Sequence, residues 1–168
     1  MSELRQLLDR IRAHPDCVVL PATGLPQPVA PHQLPNDVNE FYTLCGGVEF
    51  FVGSEVLFPF RIVAPDEVVR ANLKFFGELY ADDITAQWYL IAEDFNGDCL
   101  SIDLAPERLG RCYDSNHEVH GMVGSCAVVA RSFTELLTFL WEAPGDEVFW
   151  RSDRFTPLGD AYDALQRA

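Results

Sequence analysis

Two strand-like runs, QWYLIAEDF and DCLSIDL, meet at Asn96-Gly97, and this junction constrains the fold more than any other part of the chain. Asn-Gly between apolar runs is the strongest short-range signal for a β-hairpin, because both residues tolerate the turn backbone that matches strand twist. The centre of the chain is therefore antiparallel. Helical periodicity stands at both ends instead. Leu4, Leu7, Leu8 and Ile11 recur at i, i+3, i+4 and i+7 behind Ser2, which caps a first helix over roughly Ser2 to Ala13. Near the other end, Ser132 and Glu135 form an S-x-x-E capping box ahead of Phe133, Leu136, Leu137, Leu140 and Trp141, with Pro144-Gly145 as the stop. Helices at both ends of a run of strands predict an α+β fold, a mostly antiparallel sheet flanked by helices. The 168 residues fit a single domain, 1–168.

Between these landmarks, Pro21, Pro26, Pro28, Pro31 and Pro35 predict an extended surface connector without a ladder of its own. The Leu34-Pro35 step opens a second helix, with Leu34, Val38, Phe41, Tyr42 and Cys45 on one stripe. Gly46-Gly47 is expected to end that helix in the positive-φ region. VEFFV and EVLFPF predict two short strands about a turn at Gly53-Ser54, and Pro65-Asp66-Glu67 opens a third helix reaching about Leu73. The stretch from Phe75 to Gln87 reads as irregular. Tyr113 and Val119 belong to further short strands or loops, and CAVVA is a buried strand. In the tail, Phe149, Trp150 and Phe155 are packing points, with a short helix near Asp160.

Charge narrows the choice of partner. Twelve basic residues against 26 acidic ones leave a net charge of −14, which repels nucleic acid and anionic membranes and attracts basic proteins. The excess is concentrated from Glu78 to Glu118, where ten acids face two bases, Arg108 and Arg111. From that stretch, Asp82, Asp83, Glu93, Asp94, Asp98, Asp103, Asp114 and Glu118 are the candidate partner-binding residues. The same stretch also reads simply as a solvated face. No apolar run approaches membrane-spanning length, and the amphipathic N-terminus lacks a continuous apolar core, so a cytoplasmic protein is expected. The odd number of cysteines (Cys17, Cys45, Cys99, Cys112 and Cys126), with no CxxC pair, agrees with reduced, buried thiols.

Other chemistry is poorly supported. Glu93, Asp94, Asp98 and Asp103 have the oxygen ligands a hard cation needs but not the twelve-residue calcium-loop spacing. Cys112, His117 and His120 offer three zinc-type ligands without an evident fourth. No G-x-S-x-G elbow, phosphate loop, dinucleotide fingerprint or basic patch occurs, and Cys45 sits on an apolar helix stripe where a thiol is inert. No catalytic residue, metal or cofactor is expected.

Several segments, in order, resemble the SUKH superfamily. LPNDVNEFYTLCGG is similar to its Leu-Pro-opened helix with an aromatic pair and a Gly-Gly turn, and IVAPDEVVRAN to the short helix after its first hairpin. WYLIAEDFNGDCLSIDL followed by VVARSFTELLTFL resembles its central hairpin and closing strand–helix pair, so the likeness covers roughly 34–141. The chain departs from the pattern at Cys45, where a small polar residue is usual, and at Glu93-Asp94, where glycine often stands. The proline connector and the tail after Pro144 have no clear counterpart. The resemblance implies a binding domain rather than an enzyme. Its bacterial members are widely immunity proteins against toxins, often nucleases, and a fungal relative regulates cell-wall synthesis. Leu34, Pro35, Phe41, Tyr42, Gly46, Gly47, Gly97 and Asp98 would be scaffold, and the acidic stretch would dock a basic toxin domain. A regulatory or scaffolding module on a non-toxin partner, and a small hydrolase or metal-dependent enzyme on the same fold, remain the other readings.

Overall fold

The computed structural model describes residues 1–55, 59–143 and 148–163. Helix α1 (Glu3–Ala13) leads into strand β1 (Val18–Leu20), and α2 (Asn36–Leu44) is followed by β2 (Gly47–Glu49) and β3 (Phe60–Ile62). Next come α3 (Ala71–Phe76), β4 (Trp88–Asp94), β5 (Cys99–Asp103), β6 (Cys112–Ser115), β7 (Val128–Ala130) and α4 (Phe133–Glu142). Strand order across the sheet equals chain order, β1 to β7, and every neighbouring pair is antiparallel. This is the expected α+β architecture.

Both faces of the sheet are covered, which explains why WYLIA is continuously apolar instead of alternating. Side chains alternate across a strand, so Tyr89 and Ile91 of β4 join Leu100 and Ile102 of β5 on one face. There they meet Leu4, Leu7, Leu8 and Ile11 of α1, Val38, Phe41 and Tyr42 of α2, and Phe133, Leu136, Leu137 and Leu140 of α4. Trp88 and Leu90 point the other way, to a second core with Cys99, Tyr113, Val128, Ala71 of α3, Ile84 and Tyr162. Trp88 stacks on Tyr113 there, ring centroids 4.1 Å apart.

The end helices form as their sequences dictate. Ser2 accepts from the Arg5 amide, and Ser132 accepts from the Glu135 amide at 3.1 Å. The Glu135 carboxylate, however, accepts from the Arg131 amide rather than closing the box on Ser132. In the tail, Phe149 packs on Phe139, and the Trp150 indole N–H donates to Asp114 at 3.2 Å, so this aromatic group pins the tail.

Four expectations need correction. Strand β1 was not anticipated; its three residues pair with β2. Gly46-Gly47 does not cap α2 through a left-handed residue, because extended Cys45 ends that helix. The glycines serve close packing instead: a Cβ on Gly46 would lie 2.3 Å from the Pro21 carbonyl oxygen, and one on Gly47 would lie 2.8 Å from that of Ile62. The third helix is split into a 3₁₀ turn at Pro65–Glu67 and α3, because the carbonyl of Val69 between them accepts from Leu90 of β4. The Asn96-Gly97 connection is longer than a two-residue turn, since the Asp94 amide bonds the Asp98 carbonyl and only Gly97 has positive φ. Two further expectations, the Pro144-Gly145 stop and most of the helix near Asp160, fall outside the described residues. So does part of EVLFPF, of which Phe60 opens β3.

Candidate partner-docking face

The eight candidate acids separate into those held by the fold and those left to solvent. Asp103, at the end of β5, is fully buried. Its carboxylate accepts from the Ala105 amide at 3.0 Å, the Arg108 guanidinium at 2.9 Å and the Tyr113 hydroxyl at 2.6 Å. Burial and the neighbouring carboxylate push the Tyr113 phenol well above its ordinary pKa, so it stays a donor. Asp94 is buried and organises the hairpin tip by accepting from the amides of Asn96 and Asp98. Asp114 is buried beneath Trp150, and burial raises its pKa despite the Arg151 charge and the indole bond. Glu93 is half-buried and shares Arg61 with Glu67, which grips the guanidinium with both oxygens at 2.9 Å. These residues hold the scaffold, and the surface assignment of Asp94, Asp103 and Asp114 is corrected accordingly.

Asp82 and Glu118 are exposed, and Asp98 is half-buried with His117 at 2.9 Å. Asp83 closes a buried relay. The His120 Nε2–H donates to Asn72 Oδ1 at 2.9 Å, Asn72 Nδ2 donates to Thr85 Oγ1 at 2.9 Å, and Thr85 donates to Asp83 Oδ1 at 2.7 Å. The Tyr162 hydroxyl lies 3.0 Å from the same oxygen and 2.9 Å from the Gly121 carbonyl. The relay ties α3, the 3₁₀ turn at Ile84–Gln87, the 116–125 loop and the tail into one platform. Asn72 and His120 are nearly inaccessible, and burial lowers the imidazole pKa to about 4, so the ring is neutral at physiological pH. A buried Asn on an amphipathic stretch gave no sign in the sequence of a fixed partner 48 residues away.

The ligand sets weighed for a metal are dispersed. Asp94 and Asp98 sit at the hairpin tip and Asp103 at the far end of β5. Cys112 is buried in β6 with its thiol towards the Gly110 carbonyl, while His117 is exposed and His120 is bonded to Asn72. Among the described residues, no three His, Cys, Asp or Glu side chains gather to hold an ion. All five cysteines are free and buried. Burial raises the Cys99 thiol to about 12 and Cys126 to about 11, and pushes Cys45 and Cys112 up as well, so these thiols stay protonated. None of the described helices is long and apolar enough to cross a membrane.

Comparison with known proteins places this arrangement in context. The SMI1 / KNR4 family (SUKH-1) matches residues 31–138. Immunity protein YokJ of Bacillus subtilis (strain 168) is 41% identical over 160 residues, covering 95% of this chain and 96% of that protein. The proline-rich connector and most of the tail fall within that matched length, although the family span includes neither in full. No solved structure matches the chain.

Proposed function

The chain belongs to the SMI1 / KNR4 family (SUKH-1), and on that premise we propose that it is an immunity protein, which neutralises a toxin in the cytoplasm by binding it. The observation that carries this reading is the 41% identity to an immunity protein along nearly the whole of both chains. A match of that extent includes the sheet, both helical ends and the connector, so the relative shares the whole scaffold. Five free, buried cysteines suit a reducing compartment.

Neutralisation here is binding without chemistry. The protonated thiols and dispersed acids support that view. With a net charge of −14, the surface favours a basic toxin domain, and its field raises the rate of encounter. Of the acids in the Glu78–Glu118 stretch, Glu78, Asp82, Glu107 and Glu118 are exposed and Asp98 is half-buried, and these are the ones open enough to act in this way.

Co-expression with the toxin domain encoded by the adjoining gene tests the reading. Restored growth and a complex that survives purification are expected. Continued killing by an active toxin, with no complex, would refute it.

A further inference from the structure

We infer that the toxin-contact face is the apolar surface built on α3 and the turn after His120, rimmed by Glu78, Asp82 and Glu118; this rests on the immunity reading and names its docking site. α3 carries apolar side chains on its outer face as well as on the inner one, where Ala71 and Phe75 pack on the second core. Its buried residues are Ala71 and Asn72, whereas Leu73 and Phe76, one turn apart, face solvent at 47% and 45% exposure. The Phe76 ring lies 5.6 Å from that of Tyr80, itself 47% exposed, and 5.5 Å from His120. Two residues beyond His120, Met122 and Val123 are more exposed still. Single exposed apolar side chains are ordinary, but a cluster of large ones on adjoining segments marks an interaction surface.

The platform beneath makes the surface rigid. The relay from His120 through Asn72 and Thr85 to Asp83 fixes α3 against the 116–125 loop. Binding therefore orders little additional chain, and preorganised aromatic side chains within a polar rim are the usual anchors of tight interfaces.

Charge selects the occupant. Glu78, Asp82 and Glu118 are exposed beside the cluster, while Lys74 is the base on α3. A second copy would bring the same acidic rim against itself, and anionic membranes and nucleic acid are repelled by a chain of net charge −14. A protein with an apolar centre and a basic border is complementary. The exposed Phe95 provides an internal comparison, being a large apolar residue beside other acids but on a different segment, the β4–β5 tip.

The test measures binding of the full chain to an inactivated form of the toxin domain encoded by the adjoining gene. Phe76→Ser, Tyr80→Ser and Met122→Lys are each expected to weaken binding by about tenfold or more, whereas Phe95→Ser leaves it unchanged. Reversing Glu78 and Asp82 to Lys is expected to slow association by about tenfold at low salt while leaving dissociation nearly unchanged. Circular dichroism checks the fold, and Met122, on a separate segment, keeps the test valid if Phe76→Ser unfolds. Weakening by Phe95→Ser alone overturns the assignment and leaves the immunity reading intact. A homodimer in sedimentation that Tyr80→Ser dissolves also overturns it, with a second copy as the occupant. If the unaltered chain does not bind, the immunity reading fails and this face loses its proposed partner with it.

Discussion

Replacing Asp103 with Ala tests whether the most acidic part of the sequence is scaffold at its centre. The carboxylate is fully buried and accepts from Ala105, Arg108 and Tyr113. Hydrogen bonds to a charged group contribute about 1.5–3 kcal/mol each, but the three do not simply add. The Arg108 side chain is 14% exposed and regains some water, whereas the Tyr113 hydroxyl is left in the core with nothing to accept its proton. Removing one partner of a buried pair typically costs about 3–5 kcal/mol, and that range is expected here. With a urea m-value of about 2 kcal/mol/M for a domain of this size, the midpoint should fall by about 2 M. Asp103→Asn keeps the volume and one acceptor and should cost less. Combining Asp103→Ala with Tyr113→Phe removes the orphaned hydroxyl, so the double variant should cost less than the sum by about 1 kcal/mol. Urea unfolding followed by tryptophan fluorescence measures all three. A midpoint for Asp103→Ala within about 0.5 M of the parent would refute the argument.

Burial holds the His120 pKa near 4, against about 6.5 when unfolded. The unfolded chain therefore binds this proton first as pH falls. Stability from this group is intact above pH 6.5 and declines towards pH 4, by about 3 kcal/mol in all; urea midpoints of His120→Gln should fall less steeply with pH across that window, and parallel curves would contradict the assignment. Ser132→Ala removes the acceptor for the Glu135 amide and should cost about 1 kcal/mol in thermal or urea unfolding. Gly46→Ala forces a Cβ against the Pro21 carbonyl and should cost about 1–3 kcal/mol, while Gly97→Ala, with open space and φ of 93°, should cost about 1 kcal/mol from backbone strain alone.

The end helices and the central hairpin were legible because each is specified locally. Ser2 and Ser132 cap on neighbours three residues away, and Gly97 supplies the positive φ its turn needs. β1 was not legible, since Val18–Leu20 is a strand only because β2 lies beside it. The split before α3 likewise depends on Leu90, a residue of another element. At the candidate site, the acidic stretch was visible, but the division between buried Asp103 and exposed Asp82 was not. That division depends on which carboxylates find donors across the sheet. The exposure of Leu73 and Phe76 was hidden for a similar reason: it follows from Asn72 taking a buried position, which its bonds to Thr85 and His120 decide.

Because strand order follows chain order, each strand can pair with its predecessor as it leaves the ribosome, without waiting for distant sequence. The helical layer imposes the opposite schedule. Phe133, Leu136, Leu137 and Leu140 close the core that α1 and α2 begin, so that face of the growing sheet is only partly covered until α4 has been made. At synthesis rates of about 5–20 residues per second, the interval between β1 and α4 lasts roughly 6–25 s. A nascent chain stalled before Phe133 would carry a paired meander whose apolar side is covered only in part, a substrate for chaperones rather than a working antagonist.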